Sequence, residues 1–245
     1  MLEEIRPHLV ELRQRLIKSV VALLILFFAA FSVWEPIMAW VVAPLKEAMA
    51  QNSQVVAIGV GEQFFSAILV SFFAALVVGI PFIFYQIWAF VSPGLYEHEK
   101  KLVIPFVASA SIMFALGAAF AYYIVFPMGF AFLVNFGGST IQAMISIKEY
   151  IDFFVKLMIA FGLSFELPVV IFLLAKLGLV DDRQLMEFFR YAVIIIFIIA
   201  AILTPPDVLS QVLMAIPLII LYGISIVVAR IVNPAPPYKE EDNNG

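Results

Sequence analysis

Six long apolar runs, separated by short polar breaks, leave this chain little choice of architecture. About 20 helical residues cross a hydrocarbon core of about 30 Å. Within lipid each backbone amide must find its partner inside its own segment, which a helix achieves and an isolated strand does not. Runs of about that length recur at residues 19–41, 64–90, 102–127, 150–174, 188–203 and 208–228. The sequence therefore predicts an all-α membrane protein with six transmembrane helices. Hydrophobic residues make up 64% of the 245 and charged residues 13%, far from the mix of a soluble domain. No stretch between the runs could bury a core of its own, so one membrane domain is expected over 19–232.

Lysine and arginine orient the bundle. Eleven of the fourteen basic residues fall on one side when six spans are drawn: Arg6, Arg13, Arg15, Lys18, Lys100, Lys101, Lys176, Arg183, Arg190, Arg230 and Lys239. Only Lys46, Lys148 and Lys156 fall on the other. The positive-inside rule then places both termini in the cytoplasm. The last two spans are short, and Thr204-Pro205-Pro206-Asp207 between them cannot continue a helix, so they are expected to form a tight hairpin. Residues 1–18 carry Leu2, Ile5, Leu9, Leu12 and Leu16 at helical spacing. They read as a retained amphipathic helix on the cytoplasmic face, not a cleaved leader. The tail, 233–245, is rich in proline and charge and is expected to be disordered. The loops 43–62 and 128–149 contain apolar residues and are expected to lie against the outer membrane face. No internal repeat is visible, which argues against an inverted-repeat transporter.

In so apolar a chain the polar exceptions are the candidates for function. Glu11 sits four residues before Arg15, the favourable orientation for a helical ion pair. In Ser92-Pro93-Gly94-Leu95-Tyr96-Glu97-His98-Glu99-Lys100-Lys101, Glu97 has a cation four residues on, whereas Glu99 has Val103. A carboxylate without a local cation, held at a membrane surface, can receive a guanidinium from another molecule. Glu166 lies within the fourth span, where a charged carboxylate costs about 2.5–3.5 kcal/mol, so it must face protein, a wet cavity or a partner. Asp152 and Lys156 are spaced to pair with each other. Pro81 and Pro168 are expected to kink their spans. Thr204 and Gln211 offer a hydroxyl and an amide for bonds between helices, to a partner or within this chain. There is no cysteine, no paired histidine spacing, and Gly59-Val60-Gly61 lacks the rest of any nucleotide fingerprint. The chain reads as a non-enzyme with no cofactor and no metal.

Several separated motifs resemble one family. They are His8-Leu9-Val10-Glu11-Leu12-Arg13, the Ser92–Lys101 loop quoted above, Phe161-Gly162-Leu163-Ser164-Phe165-Glu166-Leu167-Pro168, and Leu203-Thr204-Pro205-Pro206-Asp207-Val208. In order and at this spacing they resemble TatC, the six-span core of the twin-arginine protein translocase. The resemblance implies a receptor in the bacterial inner membrane that binds twin-arginine signal peptides and helps move folded proteins, using the proton gradient. It implies signal-peptide binding by Glu99, Glu11 and Phe90, with Arg13 in the same motif. Glu166 matches the family's buried glutamate. Thr204 and Gln211 match the polar site where the single-span subunits TatA and TatB dock. Pro44 and Asp207 match functional residues of the outer loops. Self-association in a multimeric complex is implied; nucleic acid is not a partner. A proton-coupled small-molecule transporter, with Glu166 as proton carrier, competes with this reading but leaves Glu99 without a role.

Overall fold

The computed structural model describes residues 2–48, 54–91, 103–135, 144–204 and 208–236. Six helical stretches there are long and apolar enough to cross a membrane: His8–Ser32, Glu62–Phe90, Val103–Phe132, Ile147–Lys176, Asp182–Leu203 and Val208–Val232. The chain forms two compact units, one up to Leu163 and one from Ser164.

The first unit begins with α1 (Leu2–Ser32), a single helix of 31 residues. The amphipathic segment is thus not a separate element; it runs without a break into the first span. The span itself ends earlier than expected, because a new helix, α2 (Trp34–Ala48), starts after a turn at Val33. Pro36 explains the break: it has no amide to offer the carbonyl of Ser32, four residues back. The Ser32 hydroxyl adds to it by bonding Ala29 O at 2.7 Å. Next come β1 (Gln54–Val56), α3 (Glu62–Val91) and α4 (Val103–Phe120). A π-helical turn at Ala121–Val125 leads into α5 (Phe126–Asn135). β2 (Met144–Ser146) and α6 (Ile147–Ser164) follow. Each expected loop is therefore partly helical, with α2 reaching Ala48 and α5 reaching Asn135.

Two strands were not visible in the sequence. β1 pairs with β2 in parallel, Gln54 with Met144 and Val56 with Ser146. Glu62, at the start of α3, ties the same segments: its Oε2 accepts from Ile58 N at 2.9 Å and from the Ser146 hydroxyl at 3.3 Å. Ser146 in turn caps α6 by accepting from Glu149 N.

The core of this unit is aromatic. Phe126 meets Phe130, Tyr150 and Phe154, each with ring centres 5.4 Å apart, within the range where ring pairs attract. Gly162 is required by close approach of α6 to α4, since a Cβ there would lie 2.6 Å from the ring of buried Phe114. Pro81 remains inside one uninterrupted helix, α3.

The second unit contains α7 (Leu167–Lys176), α8 (Asp182–Leu203) and α9 (Val208–Val232). The fourth span is interrupted at Phe165–Glu166, just before Pro168. α7 ends in a glycine-closed motif: Gly178 adopts φ 71°, Gly178 N bonds Ala175 O, and Leu179 N bonds Leu174 O. α8 opens with a reciprocal cap, Asp181 accepting from Gln184 N while the Gln184 side chain accepts from Asp181 N. Leu185, Ala192, Ile196 and Ala200 form its buried stripe, and α9 buries Met214, Leu218, Leu221, Tyr222 and Ser225. Part of the tail is held in place. Asn233 Nδ2 donates to Val180 O, Ala235 N to Asp182 Oδ1, and Arg183 to Pro236 O, at 2.8–3.0 Å. Residues 237–245 lie outside the described residues.

Candidate functional site

Where α1 packs against α3, charged and polar side chains meet. Arg15 Nε donates to Glu11 Oε1 at 2.9 Å, the helical pair that the sequence spacing allows. This is the one ion pair among the described residues. Arg15 also points an Nη toward Gln86 Oε1 of α3, at 3.5 Å. Gln86 is buried, and Phe90 lies one turn further along the same helix, half-buried. Arg13 projects into the surroundings. Glu11, Arg15, Gln86 and Phe90 therefore share the α1–α3 region that leads directly into the 92–102 segment. Glu99 lies in that segment, outside the described residues. Sequence reasoning missed Gln86; an amide within an otherwise apolar span was the available signal. Asp152 and Lys156 do not form the pair their spacing permits.

Pro44 is not in a loop. It lies inside α2, buried, and the outer segment it was expected to occupy begins only after Ala48. A proline there leaves the carbonyl of Trp40 without its helical partner. Tyr122 fills the gap, its hydroxyl donating to Trp40 O at 3.0 Å while its ring stacks on the Trp40 ring at 4.3 Å. Tyr150 donates to the next carbonyl, Val41 O, at 2.7 Å.

In the second unit, Glu166 precedes α7 and is buried at 8% exposure. Its carbonyl accepts from Val170 N at 2.9 Å, while its side chain makes no capping bond to that helix. Thr204 and Gln211 flank the 205–207 turn. Thr204 is buried and spends its hydroxyl on Ala200 O at 2.9 Å. Gln211 Nε2 donates across the hairpin to Phe197 O at 3.0 Å. Of the alternatives open from sequence, bonding within the chain is what both groups do here. Tyr222, which the sequence did not single out, makes a second tie from α9 to α8 by donating to Leu185 O at 3.0 Å. Asp207 lies outside the described residues.

These features define a class first: a multi-pass helical membrane protein, its polar groups concentrated at helix breaks and helix junctions. Residues 7–217 match the family model described as Sec-independent protein translocase protein (TatC). The chain is 51% identical to the Sec-independent protein translocase protein TatC of Campylobacter jejuni, over 99% of this chain and 100% of that one. It is 40% identical to the protein of the same name from Escherichia coli, over 91% of this chain and 86% of that one. A crystal structure described as the twin arginine translocase receptor TatC superposes with a TM-score of 0.84 at 39% identity. The match covers 92% of this chain and 99% of that one. The chain belongs to the TatC family. It is accordingly a multi-pass protein of the bacterial inner membrane and a component of a protein translocase, a family of receptor subunits and not of catalytic enzymes.

Proposed function

We propose that this chain is the signal-peptide receptor of a twin-arginine translocase, with both termini in the cytoplasm. The orientation follows from the eleven basic residues gathered on one side. Glu99 and Glu11 receive the two guanidinium groups of the signal peptide, with Phe90 packing beside them and Arg13 in the same region. Arginine's planar fork grips a carboxylate through two parallel bonds, which a lysine ammonium cannot do. The observation that carries this reading is the Glu11–Arg15–Gln86 cluster. It supports the reading because Arg15, the partner of Glu11, reaches Gln86 of α3, the helix that the Glu99 segment follows in the chain. Thr204 and Gln211 at the α8–α9 turn are proposed as the docking point for single-span TatA- and TatB-like subunits, with Asp207 and Pro44 supporting export at the outer side. Glu166 is proposed as the polar group of the receptor's interior, and several copies are proposed to assemble in the working complex.

Photocrosslinking from residue 97 to a twin-arginine precursor tests the receptor role. Glu99→Gln is expected to remove most of the crosslink while membrane insertion is unchanged. Undiminished crosslinking in Glu99→Gln would take Glu99 out of the site.

A further inference from the structure

We infer that Tyr122 and Tyr150 are positioning residues: their hydroxyls hold the Trp40 and Val41 carbonyls beside Pro44 and so fix the outgoing direction of α2. In a regular helix Trp40 O would accept from the amide of residue 44 and Val41 O from that of residue 45. Proline has no amide, and its ring also crowds the carbonyl four residues back. Both carbonyls are bonded all the same, one to each tyrosine.

Separate local features aim the two hydroxyls. Tyr122 belongs to the π-helical turn Ala121–Val125, which precedes Pro127 and widens the helix at that point. Tyr150 is held in the buried aromatic cluster, against Phe126 and Phe130. Val41, Val42, Pro44 and Leu45 are buried, and so is the bond from Tyr150 to Val41 O, so water does not serve that carbonyl in place of the hydroxyl. α2 leads into β1, and β2 runs into the helix that carries Tyr150. The consequence for export rests on the function proposed above; the geometry does not.

A double-mutant cycle separates the two. Tyr122→Phe and Tyr150→Phe are made alone and together with Pro44→Ala, in the full chain purified in lipid nanodiscs. Amide exchange over residues 41–48 and thermal melting are measured, and export of a twin-arginine reporter is followed in cells. In the Pro44 protein, Tyr150→Phe is expected to speed exchange of this segment about tenfold, and each tyrosine change is expected to lower the melting temperature. In the Pro44→Ala protein the helix can restore its own amide–carbonyl bonds, so the same changes should alter exchange less than twofold. Equal effects in the two backgrounds would overturn the inference, because a tyrosine that merely packs does not sense residue 44. Coupled exchange with normal export in the Tyr→Phe proteins would keep the geometry and separate the two tyrosine bonds from the proposed function.

Discussion

If Glu11 receives the signal peptide as proposed, Arg15 competes for it, and removal of Arg15 should strengthen binding. The Glu11 carboxylate is already engaged by Arg15 at 2.9 Å, with the two side chains 31% and 24% exposed. An incoming guanidinium must break that pair. At this exposure a helical pair of this kind is worth about 0.3–0.5 kcal/mol. A second cation about 4 Å from the incoming guanidinium adds up to about 1 kcal/mol of repulsion in a watery setting. Arg15→Gln removes both terms, which together correspond to roughly twofold to tenfold tighter binding. The assay is fluorescence anisotropy of a labelled twin-arginine peptide with the protein in anionic-lipid-free nanodiscs, at low salt and at 1 M salt. The gain should shrink at high salt, where the screening length falls to about 3 Å. In a Glu11→Gln background only the repulsive part should remain. Unchanged or weaker binding in Arg15→Gln would refute the reasoning, because it would mean that Glu11 does not accept the peptide's arginine.

Two further outcomes follow from the packing. Gly162→Ala places a methyl group 2.6 Å from the Phe114 ring, and overpacking a buried contact costs about 1–3 kcal/mol. The purified protein should melt several degrees lower, and an unchanged melting curve would show that the α4–α6 contact yields freely. Gln211→Leu removes the bond to Phe197 O; interhelical bonds in membranes average about 0.6 kcal/mol. Melting should therefore drop only slightly, while co-purification of a single-span partner subunit falls sharply. Parallel small losses in both would reduce Gln211 to a tie within the hairpin.

The six spans were legible because length and continuous apolarity are local properties, and a membrane forces each run into a helix. What lay beyond the sequence is long-range or hidden within those runs. The first span appeared to reach residue 41 because Pro36 sits in an apolar stretch, yet the missing amide ends α1 at Ser32. Pro44 could be noticed from its family resemblance. The hydroxyls that serve its helix come from residues 82 and 109 positions away from the carbonyls they reach. No local pattern encodes that. The Glu11–Arg15 pair could be read from spacing, whereas the reach of Arg15 to Gln86 spans 71 positions and needed the packing of α1 on α3. Thr204 and Gln211 were recognisable as polar exceptions, but their partners, Ala200 O and Phe197 O, are backbone atoms on which the sequence is silent.

The most direct test compares one signal peptide in two forms, Arg-Arg and Lys-Lys, binding to this protein in nanodiscs at a single salt concentration. Both forms carry the same charge, so only the geometry of the cation differs. Carboxylates that grip guanidinium through paired bonds should hold the arginine form at least about tenfold more tightly. Equal affinities would contradict acidic selection of paired arginines at this site.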